Sequence, residues 1–217
     1  EGLAYSVISS ADDIAARGAG DWDGVEMQES WLAKLGSWSD ALAMYQRKLR
    51  ENPNDIDAVL GCMNCLNARG EWKQVLELSN TSFAAFAVND ASHREYRKAI
   101  KFCAQASWRL GQWEDLERYS ESLLDSNLEP YSGNAARPDF DGSFFSAILN
   151  IHRKKWALAA SFIDDARRSM DSRFTALMAE SRKRAYPSMV TAQTLSEMEE
   201  IISFRKLEER ADASTDK

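Results

Sequence analysis

A Gly-x-Trp triplet recurs along this chain, and each copy carries an apolar residue three places after its Trp. The copies are Gly36-Ser37-Trp38, Gly70-Glu71-Trp72 and Gly111-Gln112-Trp113, with a weaker echo at Lys154-Lys155-Trp156. The first two Trp residues are 34 residues apart, the period of tetratricopeptide hairpins. The next two spacings, 41 and 43, are stretched by insertions. Gly accepts the left-handed conformation that ends many helices, so each triplet marks a turn between two helices. Trp then opens the following helix, and a small residue such as Ala41 lets neighbouring helices approach. Gly36, Trp38, Ala41, Tyr45 and Pro53 sit where such a hairpin requires them, and Pro53 halts the second helix.

The spacing predicts helices near 3–17, 24–35, 39–51, 55–69, 72–87, 91–110, 113–125, 142–152, 155–170 and 173–204. Phe144, Ile148 and Ile151 share one face, and Trp156, Ala159, Phe162 and Ile163 share a face of the next helix. Four Pro and ten Gly in 217 residues suit long helices better than a turn-rich β protein. A single hairpin cannot bury its apolar face, but stacked hairpins bury a continuous core. The expected fold is therefore all-α, an α-solenoid of tetratricopeptide- or HEAT-like hairpins over residues 1–207. The segment 125–141 reads as an inserted loop, rich in Pro, Gly and Asn with little periodicity. Residues 208–217 read as a polar tail that frays.

Charge and composition narrow the function. A net charge of -7 leaves no electrostatic footprint for generic nucleic-acid binding. No apolar run approaches the roughly 20 residues that span a bilayer. Three Cys make no disulfide framework, which points to a reducing, cytoplasmic setting. There the sequon at Asn80 is simply a polar helix end. The chain opens at Glu1 without Met or a signal peptide, so a piece of a longer protein is expected.

Few residues offer chemistry. Cys62 and Cys65 have the spacing of half a zinc site, but the other half is missing, and two Cys on one helix also suit a core. Asp139-Phe140-Asp141-Gly142 has one residue too many for a kinase metal-binding tripeptide, and no phosphate loop or catalytic loop accompanies it. It reads instead as a turn with Asp141 as the N-cap of the next helix. The two His residues, His93 and His152, accompany no nucleophile arrangement. The carboxylates read as solvated helix faces, and no catalytic constellation is present.

The C-terminal third concentrates basic residues: Arg153, Lys154 and Lys155, then Arg167 and Arg168, Arg173, the run Arg182, Lys183 and Arg184, and Arg205 with Lys206. Converging Lys and Arg can hold a polyphosphate through charge-assisted hydrogen bonds. The opposing reading, favoured by spacing alone, is a solvated surface paired with Asp164, Asp165 and Glu180.

Five segments match a known family in order: WLAKLGSWSDALAMYQRKL, CLNARGEWKQVLEL, ASWRLGQWEDLERY, DGSFFSAILNIHRKKWALAASFIDDAR and TALMAESRKRAYPSMVTAQTLSEMEEII. Together they resemble the FAT region of the target of rapamycin (TOR) kinases, within the phosphatidylinositol 3-kinase-related kinases. The resemblance spans about residues 31–205 and departs from the family at about 125–140. It implies a non-catalytic solenoid that clamps and positions a serine/threonine kinase domain in growth and nutrient signalling. The implied partners are the kinase domain and HEAT repeats of the same parent chain and the TOR-complex subunits. It also implies a site for inositol hexakisphosphate, with Arg184 of the Arg-Ala-Tyr motif as the first candidate and Lys183 and Arg182 behind it. The alternative is a free tetratricopeptide-like adaptor that binds peptides in its groove. A small enzyme is disfavoured. Leu195, Met198, Ile201, Ile202 and Phe204 in the last helix favour the scaffold, because they suit packing against a neighbour.

Overall fold

The structure, a computed structural model, describes residues 28–86, 93–125, 139–180 and 182–215. The helix expected at 3–17, the start of the one expected at 24–35 and most of the inserted loop lie outside these residues. The described residues form α1 (Glu29–Lys34), α2 (Trp38–Glu51), α3 (Ile56–Arg69), α4 (Trp72–Phe86) and α5 (His93–Leu110). They continue as α6 (Trp113–Leu124), α7 (Phe140–His152), α8 (Trp156–Glu180) and α9 (Arg182–Thr215). No strand occurs among them, and the fold is an α-solenoid.

The recurring triplet is a left-handed helix end. Gly36, Gly70 and Gly111 have φ of 82°, 75° and 70°. In each turn the Gly N–H donates to a carbonyl three residues back, and the next N–H donates to a carbonyl five back. Around Gly70 these are Asn67 O at 3.1 Å and Leu66 O, reached by Glu71 N, at 2.9 Å. This is the Schellman pattern, which satisfies carbonyls that a helix end leaves orphaned. The fourth turn has the same two bonds, Lys154 N to Ile151 O and Lys155 N to Asn150 O, at 3.0 and 2.9 Å. Here Lys154 occupies the left-handed position with φ 57°, the only non-Gly residue among those described to do so.

Trp38, Trp72, Trp113 and Trp156 are then the first residues of α2, α4, α6 and α8. The apolar residue three places later, Ala41, Val75, Leu116 or Ala159, is fully buried in every case. The turn thus sets the register: once Trp starts the helix, the residue one turn on faces the core. Consecutive helices pack on each other, and the opening helices of successive hairpins, α3, α5 and α7, also touch. One buried cluster runs from α2 to α7 and a second joins α7, α8 and α9. Phe144 and Ile148 of α7 pack against both, so the core is continuous.

Three sequence expectations are corrected by packing. The N-cap of α7 is Asp139, whose carboxylate accepts from Gly142 N at 2.8 Å, and not Asp141. Asp141 lies in the first turn and pairs with Lys101 Nζ at 2.9 Å. The break expected at 171–172 is absent, and α8 continues to Glu180, because Asp and Ser disfavour a helix far less than Gly or Pro. The tail expected to fray from Glu208 is helical as far as Thr215, and Glu209 there accepts from Trp156 Nε1 at 2.9 Å.

Candidate functional site

Cys62 and Cys65 point into the core on α3, 1% and 0% exposed. Burial pushes both thiols up, Cys62 to about 12, with the neighbouring Cys65 adding to the shift. A thiol held protonated is a poor metal ligand and a poor nucleophile. His152 stacks on Trp113, with ring centroids 3.7 Å apart and planes 9° from parallel.

Most of the basic residues described are bound to acids instead of converging. Arg153 grips Glu117 with both guanidinium nitrogens, Nη1 on Oε1 and Nη2 on Oε2, across 36 residues of sequence. That fork holds the Glu117 carboxyl below its usual range. Arg167 of α8 reaches Glu199 Oε2 at 2.6 Å and Ser196 Oγ at 3.2 Å on α9. Arg168 pairs with Asp165 at 3.1 Å and Arg205 with Glu208 at 2.9 Å. Arg153 and Arg167 therefore tie neighbouring helices together; of the acids that spacing offered as partners, Asp165 pairs with Arg168, while Glu117, Glu199 and Glu208 hold the other three. Arg182, Lys183 and Arg184 form the first turn of α9, and their side chains lie outside the described residues.

The least ordinary surface is on α9. Its inner stripe, Leu195, Met198 and Ile202, is buried against α8 and α7. Tyr186 and Phe204 each lie nine residues from Leu195, about two and a half turns, and so project from the opposite side. They are 65% and 59% exposed. Met189, Val190, Ile201 and Leu207 flank them, also exposed. These six are most of the nine large apolar side chains that stand exposed among the described residues. A helix apolar on two opposite faces is built to be covered on both.

A second feature was not singled out from sequence. Lys101, Gln105 and Trp108 of α5, spaced for one helical face, line an open cleft of about 260 Å³ with α7 and α9. Phe140, Asp141, Phe144 and Phe145 of α7 and Val190, Thr191 and Thr194 of α9 complete its lining. Trp108 meets Phe144 edge-on at 5.9 Å. One turn before Lys101, Arg97 bridges α6 and the start of α7, donating to Leu123 O at 3.2 Å and pairing with Asp139 at 2.9 Å.

A family model for the FAT domain matches residues 101–216, which begin within α5 and take in α6 to α9. The chain belongs to the FAT-domain family. The FAT region is 34% identical over 191 residues to the serine/threonine-protein kinase TOR of Arabidopsis thaliana, covering 84% of this chain and 8% of that protein. It is 31% identical to the serine/threonine-protein kinase mTor of Drosophila melanogaster, covering 86% of this chain and 7% of that one. TOR2 of Saccharomyces cerevisiae is 31% identical over 87% of this chain and 7% of its own length. The chain thus spans less than a tenth of these relatives, and the match falls in their helical, non-catalytic FAT region. No helix among the described residues is long and apolar enough to cross a membrane.

Proposed function

We propose that this FAT region is an internal scaffold block of a TOR-type serine/threonine kinase, clamping and positioning the kinase domain in growth and nutrient signalling. The outer face of α9 carries the reading. A solenoid that ends at a helix needs a polar outer surface there, and α9 offers Tyr186, Val190, Ile201, Phe204 and Leu207 instead. In this reading that face takes the next helical layer, which passes on to the kinase domain. HEAT repeats of the parent chain and the TOR-complex subunits are the other partners, and the setting is cytoplasmic.

The test is Phe204→Asp with Ile201→Asp in the full-length kinase and in the 217-residue segment. Two charges in a packed layer cost several kcal/mol, so the full-length protein loses thermal stability and most of its kinase activity. The segment alone, where both residues are exposed, melts nearly unchanged. Equal behaviour of the full-length protein with and without the charges refutes the reading that this face is covered by the next helical layer.

Inositol hexakisphosphate is proposed as a ligand of the first turn of α9, with Arg184 foremost and Lys183 and Arg182 beside it. The N-terminal end of a helix carries partial positive charge, and three basic residues there add to it. Titration calorimetry on the full-length kinase shows at least tenfold weaker binding for Arg184→Ala if this is right, and unchanged binding if it is wrong.

A further inference from the structure

One face of α5 is basic, although the chain as a whole carries a net charge of -7. Arg94, Lys98 and Lys101 are exposed, and Gln105 and Trp108 continue the same line toward the end of the helix. At about 100° per residue these five fall within an arc of about 80°. Arg109, also exposed, lies at its edge, its guanidinium 4.6 Å from the centre of the Trp108 ring. The acids nearest the stripe are engaged or turned aside. Lys101 holds Asp141 and Arg97 holds Asp139, both at 2.9 Å. Glu95 lies about 100° round the helix from Arg94. Among the described residues no carboxylate pairs with Arg94, Lys98 or Arg109.

The stripe runs into the cleft between α5, α7 and α9, and Lys101, Gln105 and Trp108 belong to both. Trp108, Phe140 and Phe144 line it and are only half-buried. At about 260 Å³ the cleft can take one aromatic side chain. That is below the roughly 300–1,000 Å³ usual for small-molecule pockets. Thr191 and Thr194 donate their hydroxyls to Pro187 O and Val190 O, both at 3.0 Å. Their Oγ1 lone pairs remain to accept, and the Gln105 amide can donate or accept, so a peptide backbone finds partners on two walls.

We propose that α5 and this cleft form a docking site for an acidic peptide segment of a separate protein. One aromatic side chain of the segment seats among Trp108, Phe140 and Phe144, and its carboxylates meet Lys98 and Arg94. The anchor supplies affinity where water is excluded, and the basic stripe supplies orientation and association rate. Along α5, Lys98 lies about 10 Å and Arg94 about 16 Å from Gln105. An extended segment therefore carries its acids about three and five residues from the anchor. Only Val190 is shared with the outer face of α9, and the proposal stands apart from the scaffold reading.

Fluorescence polarisation on the full-length protein tests this. The probe is fluorescein-labelled Glu-Ser-Glu-Ser-Ser-Trp-Ser-Ser-Glu-Ser-Glu, symmetrical so that either strand direction serves. It should bind saturably, and at least tenfold more weakly once its Trp is replaced by Ser or its four Glu by Gln. Arg94→Glu with Lys98→Glu should weaken it at least tenfold, with an unchanged melting temperature because both side chains are exposed. Gln105→Trp and Thr194→Trp, which fill the cleft from opposite walls, should do the same. Arg50→Glu, exposed on α2, should leave binding unchanged. The peptide changes leave the protein untouched, so the anchor and the charges are tested even where a cleft variant fails to fold. Equal binding of the peptide without its Trp would make the stripe a general anion surface and overturn the proposal. Absence of saturable binding, or binding that survives the charge reversal or the filling of the cleft, would overturn it as well.

Discussion

Replacing Lys154 by Gly should stabilise the protein, although it removes a side chain. Lys154 holds the left-handed position of the fourth turn, with φ 57°. An L-residue pays roughly 1–2 kcal/mol there, because Cβ crowds the following carbonyl. Gly escapes that cost but brings extra freedom to the unfolded chain, worth about 0.4–1 kcal/mol. The difference favours Lys154→Gly by about 0.5–1 kcal/mol. The side chain is exposed, so its loss removes no core contact. The reciprocal change, Gly111→Ala, tests the same term from the other side. A Cβ at Gly111 meets nothing within 4 Å, so only the backbone at φ 70° resists it. That variant should lose about 0.5–1 kcal/mol by the same arithmetic. For a chain of this size either shift is about 1–4 °C in Tm, readable by circular dichroism at 222 nm and by urea midpoint. If Lys154→Gly is neutral or destabilising while Gly111→Ala destabilises, the two turns are not equivalent and the repeat argument fails at its fourth copy.

Two further predictions concern packing and charge. Gly61→Ala places a Cβ 2.4 Å from Tyr45 Cε1, a clash of about 1–3 kcal/mol that exceeds the roughly 1 kcal/mol gained in helix propensity; urea unfolding should show a net loss that Tyr45→Leu in the same chain partly relieves. Asp141→Asn should raise the Tm at pH 7, because burial pushes the Asp141 carboxyl up more than Lys101 draws it down. A carboxyl raised on folding binds its proton more readily in the native state, so the wild type gains stability as pH falls through the raised value and the advantage of Asn fades. A gain that grows on acidification would reverse that sign and refute the account.

The hairpin turns were legible because their cause is local. A left-handed residue ends a helix wherever it occurs, and the Trp two places on starts the next one. Even the altered copy at Lys154 could be placed by its Trp. Helix ends without such a marker were less secure. Asp139 and Asp141 are equally good caps by residue type; in the fold Asp139 caps with one oxygen and meets Arg97 with the other, while Asp141 is drawn to Lys101, 40 residues earlier in the chain. Glu180 ends α8 ten residues beyond the expected boundary for a local reason: Asp171 and Ser172 lower helix propensity too little to break it.

The candidate interface divides in the same way. The apolar residues of the last helix were visible in sequence, and their number suggested a covered element. Which of them are inward could not be read there, because a helix with apolar residues around most of its circumference has no single face. Only the seating of Leu195, Met198 and Ile202 against α8 turns Ile201 and Phe204 outward. The basic clusters taught the converse. Their spacing permitted a shared anion, but Glu117 and Glu199 come from distant turns and neutralise Arg153 and Arg167 where they lie.

The sequence by itself determined the hairpin grammar, the all-α class and the family, because backbone turn preferences and helical periodicity act over a few residues. The tertiary structure decided the cap of α7, the partners of the arginines and the two faces of α9. Each of those depends on which groups arrive from another turn of the solenoid, and burial and ion pairing are settled only when those groups meet.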